Sequence, residues 1–143
     1  MFPYDRENIV AIATPPGVGA LAIVRISGAD LGALYRGFTH GAPKDRFASF
    51  SKLYHPKKNT VLDEVVVTYF KSPKSFTGED VIEISCHGGE AVKNSIVHAA
   101  LDIAGVRLAG PGEFTFRSFL NGKMDLIQAE AVSALISSKT AVS

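Results

Sequence analysis

The segment from Asp80 to Cys86 alternates without a break. Val81, Glu83 and Ser85 fall on one side of an extended chain, and Ile82, Ile84 and Cys86 on the other. A strict period of two with branched residues throughout demands a strand, with one side set into a core and the other carrying polar groups. Residues 21–27 repeat the pattern, with Leu21, Ile23, Arg25 and Ser27 facing one way and Ala22, Val24 and Ile26 the other. Two such strands constrain the chain to a sheet that buries at least one face.

Around them the remaining elements fall into order. Residues 9–14 (IVAIAT) predict a short buried strand, broken by Pro15-Pro16-Gly17-Val18-Gly19 because proline lacks the ladder donor. Asp30 is predicted to cap a short helix through Arg36, and residues 37–48, polar and punctuated by glycine and proline, read as a loop. Residues 49–54 and 61–70 predict a hairpin across the turn 55–60. Gly88-Gly89 ends the alternating strand and opens a helix over 91–104, with Val92, Ile96, Ala99, Ala100 and Ile103 at helical spacing and Gly105 as its stop. A short strand is predicted at 106–109 and a helix at 114–120. Asp125 and Gln128 form a variant capping box for a helix through Ser138, with the apolar stripe Leu126, Ala129, Val132 and Ile136. Strands interleaved with a few helices and a hairpin define an α+β fold, a mixed sheet with packed helices.

Composition narrows the class. With 143 residues and 46% hydrophobic content, the chain is long enough for one domain with its own core and is not a disordered polymer. The single cysteine, Cys86, cannot close an internal disulfide and fits a reducing compartment. No apolar run approaches the ~20 residues that span a bilayer, and residues 1–7 lack a secretory core, so the chain reads as cytoplasmic, with no membrane role. The formal charge of +1 gives no overall pull on nucleic acid. That charge is unevenly spread, with six Lys/Arg against Asp45 alone over residues 36–58 and four acids with no Lys or Arg over 75–91. The basic stretch reads first as a solvated face.

Few residues invite chemistry. Arg25 sits in an otherwise apolar strand; a guanidinium cannot shed its charge, so it either reaches solvent, pairs with an acid such as Glu83, or binds an anion. Glu83 is either a polar-face residue or a carboxylate able to accept two N–H bonds from the amino-amide edge of a heterocycle. His87-Gly88-Gly89, at a strand-to-helix turn, fits either a tight turn or a close backbone approach to an anion. Cys86 and His87 point to opposite faces and cannot act as nucleophile and base. Phe114, Phe116 and Phe119 with Arg117 between them read as core packing, with an aromatic platform for a heterocycle as the lesser alternative. Neither a dinucleotide fingerprint nor a G-x-x-x-x-G-K-[ST] phosphate loop is present, and one Cys with four scattered His offers no metal site.

Three stretches together resemble one family: residues 9–28 (IVAIATPPGVGALAIVRISG), 75–89 (SFTGEDVIEISCHGG) and 111–136 (PGEFTFRSFLNGKMDLIQAEAVSALI). They are similar to the N-terminal region of the tRNA-modifying GTPases of the MnmE (TrmE) family. The resemblance implies a fold related to the tetrahydrofolate-binding domain of aminomethyltransferases. It also implies a domain that binds 5-formyltetrahydrofolate, or a related methylene-type tetrahydrofolate, and mediates homodimerisation. The family's folate contacts map onto Arg25 in VRISG, Glu83 in GEDVIE and Lys123 in FLNGK. The carboxylate suits the donor-rich edge of a pterin, and the two cations suit an anionic glutamyl tail.

By the same resemblance, residues 1–122 form the folate-binding and dimerisation domain and residues 123–143 begin a helical domain. The GTP-binding domain, with its GTP, Mg2+ and K+, lies outside this chain, so catalysis is expected of the parent protein and not of this piece. The parent would act with MnmG (GidA) on C5 of the wobble uridine, U34, of certain tRNAs. Two features depart from the family pattern: Val18 and Ala20 stand where the PPGRGG loop has arginine and glycine, and Ser118 alters the F-T-x-R-A-F segment. An alternative is a structural dimerisation module with no folate role, its charges paired internally. A stand-alone one-carbon transferase would need an acid–base pair beyond Glu83, and none is evident.

Overall fold

Alternate branched residues build a sheet whose two faces differ in kind. The computed structural model describes residues 5–17 and 19–142. Six strands, β1 (Asn8–Ile12), β2 (Leu21–Gly28), β3 (Ala48–Tyr54), β4 (Val61–Phe70), β5 (Asp80–His87) and β6 (Val106–Leu108), lie in the order β3-β4-β5-β2-β1-β6. Only β1 and β6 run parallel; the other neighbours are antiparallel. The fold is α+β with a mixed sheet, as the sequence predicts.

Register fixes which residues share a face, because cross-strand partners point the same way. Val67, Ile84 and Val24 form one transverse row, and Tyr69, Ile82, Ile26 and Val10 another. Both rows are buried, and helices α1 (Gly32–Thr39) and α2 (Glu90–Leu101) pack on this side of the sheet. The opposite face carries the row Phe70–Val81–Ser27–Ile9, then Thr68–Glu83–Arg25–Ala11, then Phe50–Val66–Ser85–Ile23. Helix α3 (Glu113–Leu120) and the loop 71–79 cover the first of these rows and flank the second through Phe114 and Phe76. Ile9, Ser27 and Val81 lie buried beneath them, whereas Phe50 is 75% exposed. Helix α4 (Leu126–Val142) follows and packs against α3.

Several boundaries differ from expectation. Asp30 does not cap α1: Leu31 occupies that position, its amide donates to Asp80, and Asp30 accepts from Gly32 at 3.1 Å. The helix then runs past Arg36 to Thr39 through a glycine that the sequence suggests as a breaker. Gly37 is there because Pro56 abuts it, and a Cβ would approach the proline Cβ to 2.9 Å. Helix α2 stops at Leu101 rather than 104. The capping box is present as predicted: Asp125 N donates to Gln128 Oε1 (3.0 Å) and Gln128 N to Asp125 Oδ1 (2.7 Å). Val18, residues 1–4 and the side chain of Ile136 lie outside the described residues. Among the described residues no helix is long and apolar enough to cross a membrane.

Candidate functional site: a charged pair at the edge of the covered sheet

Arg25 and Glu83 are direct register partners on β2 and β5, so the two polar-face residues singled out by alternation meet. Arg25 Nε donates to Glu83 Oε2 at 2.9 Å, and Nη2 lies 2.8 Å from the same oxygen. The guanidinium thereby leaves Nη1 outside the pair, and the carboxylate leaves Oε1 outside it. Side-chain exposures of 28% and 30% put the pair on the line between the covered and open halves of the face. A pair this wet contributes at most about 1 kcal/mol to stability. The rings of Phe76 and Phe114 flank it, each with its centroid 5.9 Å from the guanidinium carbon.

Lys123 comes from the turn after α3, and its amide donates to Ser118 O at 2.9 Å. Its side chain rests against Gly78, where an added Cβ would meet Lys123 Cγ at 3.4 Å. It lines a cavity of about 650 Å³ with Asp45, Arg46, Phe70, Lys74 and Phe76. The structure therefore joins Arg25 to Glu83 directly and brings Lys123 to a neighbouring recess that shares Phe76 with them.

Below the pair, charges serve the fold. Arg117 is buried, not part of an aromatic platform: it donates to Glu79 Oε1 (3.0 Å) and Glu7 O (2.7 Å), and its guanidinium lies 3.7 Å from Glu113. Glu113 takes two bonds from Arg107, at 2.8 and 2.6 Å. Burial opposes ionisation of Glu113, but the Arg107 guanidinium and the Gly110 amide more than offset it, and its carboxyl titrates below the ordinary range. Ser27 Oγ, Thr77 and Glu79 extend the network to the sheet. A second cavity, about 370 Å³, borders this network, whose charges are already paired.

Other candidates resolve into packing. Cys86 is buried, which pushes its thiol pKa up, and its sulfur lies 3.5 Å from Ala22 O. His87 faces the other way and bonds Asp63 through Nδ1 at 2.8 Å. Gly88 is demanded by contact: a Cβ there would stand 2.1 Å from Gly19 O. The loop it touches is also pinned by Lys93, buried, whose Nζ donates to Gly17 O at 2.6 Å. Sequence reasoning missed Phe76, which lines the Lys123 recess and flanks the Arg25–Glu83 pair. Its only signal was its place in the SFTGED stretch, since no periodicity marks a loop residue.

Fold and site together define a class: an α+β domain whose half-covered sheet offers a charged, aromatic-walled recess. Residues 8–123 match the family model described as GTP-binding protein TrmE N-terminus, and the chain belongs to that family. It is 49% identical over 139 residues to the tRNA modification GTPase MnmE of Aliarcobacter butzleri, covering 96% of this chain and 31% of the relative. Against proteins of the same name it is 47% identical over 135 residues for Wigglesworthia glossinidia brevipalpis, and 48% over 140 residues for Latilactobacillus sakei. Those matches cover 94% and 95% of this chain and 30% of each relative. The chain thus spans under a third of the length of these relatives.

Proposed function

We propose that this domain binds a 5-formyl- or methylene-type tetrahydrofolate through Arg25, Glu83 and Lys123, and that it dimerises. The observation that carries the reading is the Arg25–Glu83 pair, flanked by two phenyl rings and partly exposed. Its free Oε1 suits the N–H edge of a pterin, and the recess beside Phe76 with Lys123 suits an anionic tail. The folate supplies the one-carbon unit when bound; the residues of this chain hold and orient it. In this reading the fold is kin to the folate-binding domain of aminomethyltransferases, residues 1–122 form the unit, and residues 123–143 open a helical domain. Leu126, 56% exposed on α4, fits a helix that awaits neighbours.

The name carried by the relatives, tRNA modification GTPase, supports the wider proposal. The parent protein would hydrolyse GTP with Mg2+ and K+ on another domain and act in the cytoplasm. With MnmG (GidA) as partner, it would modify C5 of the wobble uridine of certain tRNAs.

Calorimetric titration with 5-formyltetrahydrofolate tests the site. Binding to the wild type is expected, and Glu83→Gln should weaken it about tenfold or more, since a bond to a charged acceptor is worth ~1.5–3 kcal/mol. No heat with the wild type, or undiminished affinity in the variant, would remove the assignment.

One observation favours a second reading, a structural module without a folate role: Arg25 and Glu83 close onto each other. Under that reading Glu83→Gln changes the melting temperature, and the folate produces no heat with either protein.

A further inference from the structure

The cavity beside Lys123 holds more charge than the proposed folate contacts use. Three cations, Arg46, Lys74 and Lys123, face one carboxylate, Asp45. Asp45 is engaged elsewhere, its Oδ1 accepting the Lys71 amide at 2.7 Å. Among the described residues none of the three cations closes an ion pair.

Their arrangement is held by backbone, not by chance approach of long side chains. Arg46 adopts a left-handed φ of 61°, and its amide donates to Tyr69 O at 2.7 Å, clipping the α1–β3 connection to the end of β4. Arg46 Nη1 reaches Lys74 O at 3.4 Å. Lys74 is fixed in turn by a bond from its amide to Lys71 O at 3.0 Å. The floor is apolar, formed by Phe70 and Phe76, and Phe76 is the ring that also flanks Arg25. A recess of about 650 Å³ with excess positive charge, sharing the Phe76 ring with the Arg25–Glu83 pair, fits a small oligoanion tethered to a heterocycle held at that pair.

We infer that this cavity receives the γ-linked glutamyl extension of folate polyglutamates, with Lys123 at the first carboxylate and Arg46 and Lys74 at the following ones. The inference rests on the folate reading above. Each added glutamyl unit brings one further α-carboxylate, and exposed charge pairs of this kind gain modestly. Three cations gathered in one short patch suit a few carboxylates, whereas an RNA backbone would need a longer track of positive charge.

The test compares the monoglutamate and the pentaglutamate of 5-formyltetrahydrofolate by calorimetry at low and high salt. With the wild-type chain the pentaglutamate should bind about tenfold tighter at low salt. The advantage should shrink as salt screens the exposed cations. The double variant Arg46→Gln/Lys74→Gln, checked for folding by circular dichroism, should reduce the ratio of the two affinities to about twofold or less. Equal affinities with the wild type, or an unchanged ratio in the folded double variant, overturn the proposal. Free penta-γ-glutamate, followed by NMR shifts of the Arg46, Lys74 and Lys123 amides, separates the two readings. If it perturbs those amides while neither folate binds, the folate reading fails and the cation site stands. Displacement of the free peptide by an anticodon stem-loop RNA at matched charge would overturn the proposal in favour of an RNA contact.

Discussion

Asp80, the first residue of β5, carries more of the fold than Arg25 or Glu83. It is fully buried and accepts bonds from the Tyr69 hydroxyl and from the amides of Leu31 and Ser72, with Lys71 Nζ at 3.7 Å. Burial pushes its carboxyl up, but these donors more than compensate, and it titrates below its ordinary value of 3.8. The same bond, with burial, pushes the Tyr69 hydroxyl well up. A carboxyl whose folded pKa is depressed gives its stabilisation in full above the unfolded value and loses it as pH falls through the folded one. Urea melts should therefore show stability intact above pH ~5 and declining below ~4. In Asp80→Asn the stability at neutral pH should fall by about 2–4 kcal/mol, and the acid decline should be shallower; an unchanged slope would mean other carboxylates dominate it. The alternation of 80–86 made the facing of Glu83 legible, and that of 21–27 the facing of Arg25. Asp80 looked like a plain strand start, because its partners come from Leu31 and from residues 69–72, two segments that only tertiary structure brings to it.

Helices and turns show the same division. The capping box at Asp125 was legible because both partners lie within one turn, and the hairpin of β3 and β4 because its turn is local. The true extent of α1 was not, since Gly37 reads as a breaker until Pro56 is seen against it. Gly88 was legible as a glycine that mattered, but not for which reason: its φ is ordinary, and the demand comes from Gly19 across the turn. Gly88→Ala should cost about 1–3 kcal/mol and break the bond from its amide to Ala20 O, 3.2 Å in the native turn. Faster hydrogen exchange over residues 20–22 would report the displaced loop. A variant as stable and as protected as the wild type would show that the turn yields freely.

At the scale of the whole molecule, the sheet is covered on one face and half covered on the other. The open half presents Phe50, Val66 and Leu21 beside the charged row, a patch suited to a second copy of the chain. If the proposed dimer forms through it, Phe50→Asp should shift the sedimentation coefficient from dimer to monomer at micromolar concentration while leaving the melting curve near that of the wild type. A monomeric wild type, or a variant that stays dimeric, would refute the use of this face. None of this was legible in advance. Periodicity says that a side of a strand is mixed, but not that a loop and a short helix roof only one end of it. That half-finished roof has a thermal consequence. If a second copy seals the remaining apolar row, hydrated surface is removed and the heat capacity drops on association. The enthalpy of assembly should grow steadily more exothermic with temperature.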